Sequence, residues 1–87
     1  MYINDVHRVD SMRAFVLISI TGNDVHDIVD ELKEIPEVKN VYLLFGEWDV
    51  ISEIETESPE SLATFVIDHV RSNPGVRLTS SLIVAGK

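Results

Sequence analysis

The chain is expected to fold as an α+β sandwich of βαββαβ order. Three observations carry this expectation: four apolar runs with strand-like alternation, two amphipathic stretches of helical spacing between them, and an echo of the first half in the second at a shift of about 38 residues. "IPEVKNV" at 35 to 41 lies against "NPGVRLT" at 73 to 79, and Val25, Ile28 and Leu32 fall on Ala63, Val66 and Val70. Two split βαβ units of this kind make the ferredoxin-like arrangement, with both helices on one face of an antiparallel sheet.

The first strand is "MRAFVLISI", residues 12 to 20, which puts Met12, Ala14, Val16, Ile18 and Ile20 on one face and Arg13, Phe15, Leu17 and Ser19 on the other. Both faces carry apolar side chains, as a central strand requires when each side of its sheet is covered. "TGNDVHDIVDELKEIP" follows, with Gly22 as breaker, Asn23 as N-cap, and Asp24 and Asp27 in the first turn, where the helix dipole favours carboxylates. Val25, Ile28, Val29, Leu32 and Ile35 keep helical spacing, and Pro36 stops the helix.

A hairpin comes next, its strands expected over 38 to 45 and 48 to 56. Gly46-Glu47 between them suits a two-residue type II′ turn, whose first central residue needs positive φ. Ser58 as N-cap and Pro59 at the first helical position open the second helix, whose inward stripe is Leu62, Phe65, Val66, His69 and Val70. Asn73-Pro74-Gly75 ends it. The last strand, residues 76 to 84, is expected to carry Val76, Leu78, Leu82 and Val84 on one face and Thr79, Ser81 and Ile83 on the other.

With the helices over Ala14, Val16 and Ile18, the residues Phe15, Leu17, Ile51 and Ile83 are left facing outward. Large apolar side chains are each worth ~1.5 to 3 kcal/mol on full burial, so this bare face is expected to be a dimer interface. Length points the same way. A chain of 87 residues holds one domain and buries only roughly 60 to 65% of its unfolded surface. It has no cysteine, so neither disulfides nor thiolate metal sites can help, and association is the remaining source of stability.

Charge excludes some partners. Seven Lys plus Arg against fifteen Asp plus Glu give a net charge of -8, which repels phosphate backbones and anionic membrane surfaces. There is no basic leader followed by an apolar segment and no apolar run near the ~18 residues of a membrane span, so a cytoplasmic protein is expected. The acidic face of the first helix, with Asp24, Asp27, Asp30, Glu31 and Glu34, reads as a solvated surface, with a docking face for a basic partner as the alternative. His26 and Asp30 stand at i and i+4 but lack a third convergent ligand, so no metal site and no cofactor are expected.

The quoted segments "AFVLISITG", "IPEVKNVYLLFGEWDVISEIE" and "VRSNPGVRLTSSLIV", in this order over residues 12 to 84, resemble the effector-binding RAM domain of the Lrp/AsnC transcription regulators. The Gly-x-aromatic-Asp of that family's hairpin is matched by Gly46, Glu47, Trp48 and Asp49, and its Thr/Ser cluster by Thr79, Ser80 and Ser81. The resemblance implies dimers formed through the sheets, assembly of dimers up to an octamer, and an amino-acid effector held between dimers by those seven residues. Residues 1 to 11, expected as an N-terminal arm before a single domain at 12 to 87, cannot hold the family's helix-turn-helix, so direct DNA binding is not carried over. A full-length DNA-binding homologue is the partner through which the chain would act.

Each of these residues also has a plainer reading. Gly46 serves a turn, Thr79 to Ser81 serve a strand surface, and Trp48 anchors a core or an interface. Asp49 pairs with Arg13 or Arg77, sits at an open rim, or takes the ammonium group of an amino acid. Two other functional classes share the topology: a small dimeric α+β barrel enzyme, which needs polar groups converging in the sheet-helix cleft, and an ACT-like amino-acid-binding domain, whose ligand site uses the first strand-to-helix turn, here "ITGND".

Overall fold

Pairing between β1 (Met12–Ile20) and β3 (Val50–Thr56) forms the centre of a four-stranded antiparallel sheet of order β2-β3-β1-β4. The computed structural model describes residues 11–22 and 25–86; residues 1–10 of the expected arm, His7 among them, and the Asn23 cap and Asp24 lie outside the described residues. The remaining elements are α1 (Val25–Lys33), β2 (Val38–Leu43), α2 (Pro59–Phe65) and β4 (Val76–Ile83), in the expected βαββαβ order.

Ala14, Val16, Ile18, Val50 and Ile54 on the two central strands are fully buried, because both helices lie over this face. Ile28, Val29 and Leu32 of α1, Leu62 and Phe65 of α2, and Val66 and Val70 just beyond it complete the core. Ser58 caps α2 as expected: its Oγ accepts the Ser61 N–H at 3.1 Å, and Pro59 follows it. Ser58→Ala is therefore expected to cost about 1 kcal/mol of stability, read as a shift of the denaturant midpoint.

After Phe65 the helix widens into a π-helical stretch, Val66–Arg71. Wider turns change which residues share a face. Val66 and Val70 stay buried, but His69, expected on the inward stripe, is exposed with its ring 5.2 Å from that of Phe65. The stop that follows is an Asx turn in which Asn73 Oδ1 accepts the Gly75 N–H at 2.8 Å.

Register on β4 corrects the expected faces. Directly opposed residues of antiparallel strands share a face, and Ala14 is opposed by Ile83, Phe15 by Leu82, Leu17 by Ser80 and Ser19 by Leu78. Ile83 therefore sits on the helix side of the sheet and not with Phe15, Leu17 and Ile51, while Leu78 and Leu82 lie on the open side. A register shift between Ser19 and Ile20 leaves Arg77 without an opposed partner and returns Val76 to the core side. Strict alternation from Val76 thus assigned the strand the wrong phase.

Candidate functional site

The hairpin is wider than a two-residue turn. Its last ladder pair is Leu43 with Val50, closed beyond by the Leu44 N–H donating to the Asp49 carbonyl at 2.9 Å. The strands therefore end at Leu43 and begin at Val50, and Gly46 has φ 158°, far from the value near +60° that a type II′ turn places there. Asp49 accounts for the difference. Its N–H donates to the Ile18 carbonyl at 2.9 Å and its Oδ2 accepts the Ile20 N–H at 2.8 Å, which draws it onto β1 and away from a tight reversal.

Among the three readings of Asp49, ion pairing with Arg13 or Arg77 is not what the side chain does. Arg13 pairs with Glu53 at 3.4 Å, and Arg77 donates to Ser19 Oγ at 3.1 Å. Asp49 is half-buried and uses one carboxylate oxygen to hold the end of β1. It also borders a cavity of about 250 Å³ lined by Ile20, Gly22, Val25, Leu43 and Leu44.

This cavity exists because the strand order sets the end of β1 beside the start of β3, so the β1-to-α1 turn and the hairpin meet. Gly22, at φ 82°, makes the turn in a left-handed conformation that other residues adopt at a cost. Val25 is the first residue of α1, and the N-terminal end of a helix carries partial positive charge. Among the described residues the arrangement offers one carboxylate against aliphatic walls. Ile20, Gly22, Val25, Leu43 and Leu44 were not legible as site residues from the hairpin motif alone. The "ITGND" turn was the signal that pointed to the first two.

Other expected site residues are distributed differently. Phe45, Gly46 and Glu47 at the loop tip are exposed, Phe45 wholly so, and Trp48 is half-buried. Thr79 and Ser81 oppose Ile18 and Val16 on the helix side, whereas Ser80 opposes Leu17 on the open side. None of the three lines the Asp49 cavity, since β4 borders β1 on the side away from β3. Within one chain the hairpin and the Thr/Ser segment do not meet.

The open face carries Phe15, Leu17 and Ile51, half-buried, with Tyr42, Leu78 and Leu82 at more than half exposure. Near its middle Glu53 is held between Arg13, at 3.4 Å, and the Asn40 amide, at 2.7 Å. Far from Asp49, toward the Met12 end of β1, a larger groove of about 870 Å³ is lined by Glu37, Glu55, Glu57, Glu60 and Asp68 with His69 and Phe65. No trio of His, Asp or Glu close enough to share a metal ion occurs among the described residues. No helix among them is long and apolar enough to cross a membrane.

A sandwich of this topology has known counterparts. The family model for the Lrp/AsnC ligand binding domain matches residues 13–86. The chain is 34% identical over 74 residues to the HTH-type transcriptional regulator FL11 of Pyrococcus horikoshii, a match covering 85% of this chain and 48% of that protein. It thus spans about half the length of the curated relatives it matches. The structure of TTHA0845 from Thermus thermophilus superposes with a TM-score of 0.82 at 30% identity, covering 87% of this chain and 95% of that one. The L-Met complex of the transcriptional regulator NMB0573 from Neisseria meningitidis superposes with a TM-score of 0.82 at 25% identity, covering 93% of this chain and 55% of that one. With the family model matched along almost its whole length, the chain belongs to the Lrp/AsnC family as a ligand-binding domain.

Proposed function

We propose that the chain is an amino-acid-sensing assembly module, which binds an amino acid at the Asp49 cavity and dimerises through the open face of its sheet. The observation that carries this reading is the Asp49 carboxylate beside a cavity small enough for a metabolite. At about 250 Å³ it lies just under the ~300 to 1,000 Å³ of pockets that hold drug-sized ligands. One oxygen of Asp49 is engaged by the Ile20 amide, and the carboxylate has acceptor capacity left for an ammonium group. The L-Met complex of the similar Neisseria regulator supports an amino acid as the ligand class.

The carboxylate of the amino acid would be held by amides at the end of the hairpin ladder and by one face of the Thr79 to Ser81 segment of a neighbouring dimer, either Thr79 with Ser81 or Ser80. A site completed by a neighbour links occupancy to size, so the bound amino acid would stabilise the larger assembly, up to an octamer. Tyr42, Leu78 and Leu82, still more than half exposed in the single chain, join Phe15, Leu17 and Ile51 as the surface that a second copy would cover. Regulation of transcription would then run through a DNA-binding homologue that shares these assemblies. Equilibrium titration of the purified chain with amino acids tests the reading, which fails if none binds at millimolar concentration.

Direct DNA binding is not part of the proposal. With a net charge of -8, the 87-residue chain by itself is expected to leave duplex DNA unshifted at physiological salt. A salt-sensitive shift in an electrophoretic assay would contradict this.

A further inference from the structure

A carboxylate stands near the middle of the open face. Glu53 follows Ile51 by two residues along β3 and is opposed by Phe15 of β1 and Asn40 of β2, so it shares that face with Leu17, Tyr42 and Leu82. Charged side chains are depleted at the centre of protein interfaces, because they lose their water when the surface is covered. Glu53 is nevertheless held in place before any partner arrives. Its Oε1 accepts the Asn40 amide at 2.7 Å and its Oε2 meets Nη1 of Arg13 at 3.4 Å, which leaves its side chain 16% exposed against 56% for Arg13.

Charge and symmetry together limit what can cover this face. Among the described strand residues on the open side the carboxylates are Glu53 and Glu55, the latter opposed by Arg13; Glu53 pairs with Arg13, and Glu55 with Lys39 at 3.9 Å. On a chain of net charge -8, two copies can meet here without bringing unmatched like charges together. Arg13 sets a second condition. A guanidinium has five N–H donors, and its contact with Glu53 leaves donors over. A covering surface must supply acceptors for them or leave them dry, which is costly. In a two-fold pair each copy presents the same groups to the other, so whatever satisfies one Arg13 satisfies both.

We propose that the network of Arg13, Glu53 and Asn40 selects the partner across the open face: it admits a second copy of this chain and disfavours a partner that is wholly apolar there. The selection rests on the open face being the dimer interface and adds what decides the identity of the partner. Affinity is not what the network supplies. Replacing both members of a buried ion pair by apolar residues often leaves an assembly as stable or more so, whereas removing one member strands the other and is strongly destabilising. Discrimination is what it supplies, since a partner without acceptors leaves Arg13 desolvated and only partly bonded.

Sedimentation equilibrium of the whole chain, with native mass spectrometry of mixtures, tests the proposal. Glu53→Leu, which strands Arg13 on the face, is expected to raise the dimer dissociation constant ~100-fold or more. Arg13→Met combined with Glu53→Leu removes both charges and should self-associate within ~10-fold of the parent, or more tightly. When parent and double variant are mixed in equal amounts and left to exchange, unselective pairing would put about half of the dimers in mixed form; the mixed dimer is expected well below that share. Circular dichroism checks that each variant is folded, and if Glu53→Leu is not, Glu53→Gln, which keeps an acceptor for the Asn40 amide, takes its place with an expected loss of ~10-fold or more. A folded Glu53→Leu or Glu53→Gln chain that dimerises as tightly as the parent, or mixed dimers at the unselective share, would overturn the proposal while leaving the sheet-face dimer intact. So would a folded double variant that no longer self-associates, because the network would then supply the affinity itself. A parent chain that stays monomeric would remove the dimer reading and this selection together.

Discussion

Leu17→Asp is expected to leave the chain a monomer, where the parent forms the proposed dimer, with its secondary structure in place. Leu17 lies midway along β1 on the open face, opposed by Ile51 on one side and Ser80 on the other, with Phe15 two residues away on the same face. In the free chain it is only half-buried, so a carboxylate there remains partly hydrated and the helix-side core of Ala14, Val16 and Ile18 is untouched. In a face-to-face dimer the same carboxylate would be buried without a partner, at a cost of roughly 3 to 5 kcal/mol for each such charge. That is enough to dissociate a micromolar dimer. Sedimentation velocity reads the result as a shift to the 9.8 kDa species. The corrected register supplies an internal comparison: Leu82→Asp, on the open face, should weaken association far more than Ile83→Asp, which opposes Ala14 on the other face. The reverse order would refute the face assignment.

The second large effect concerns Asp49. A charge-assisted hydrogen bond to an ammonium group is worth about 1.5 to 3 kcal/mol, so Asp49→Ala should weaken amino-acid binding roughly 10- to 150-fold. The alanine variant also removes the acceptor of the part-buried Ile20 N–H, which should lower stability by about 1 to 3 kcal/mol. Asp49→Asn separates the two roles. Its side-chain carbonyl still accepts the Ile20 N–H, but it carries no charge for the ammonium group. Stability close to that of the parent with a large loss of affinity is the expected pair of results, from denaturant titration and calorimetry. If Asn binds as tightly as Asp, then Asp49 acts only as a clamp on β1 and the ligand assignment fails.

The order of elements was legible because each is marked locally. Ser58-Pro59 opens α2, Asn73 and Gly75 close the helical segment, and the β1 alternation separates two apolar faces. What stayed hidden depends on partners distant in sequence. The phase of β4 is set by a register shift at Arg77 that only pairing with β1 reveals, and both phases of that strand carry apolar residues. His69 leaves the inward stripe because the helix widens to a π-helical turn, for which spacing gives no sign. At the hairpin, Gly46 suggested a tight turn, but the bonds of Asp49 to Ile18 and Ile20, about thirty residues earlier, open it instead.

The candidate site divides in the same way. Asp49 was identifiable from its motif, while its cavity partners Val25, Leu43 and Leu44 became visible only once β1 and β3 were set side by side. Thr79, Ser80 and Ser81 form a contiguous trio in sequence, yet the alternation of a strand sends Ser80 to the face opposite the other two. A single ligand held by this segment therefore meets Thr79 and Ser81, or Ser80, but not all three side chains.

Coupling of amino-acid binding to assembly is read by sedimentation velocity of the unmodified chain, with and without a millimolar mixture of amino acids. A dimer or larger species is expected at micromolar concentration, with a further increase in size when the mixture is present. A 9.8 kDa monomer under both conditions, or an assembly whose size is indifferent to amino acids, would contradict it.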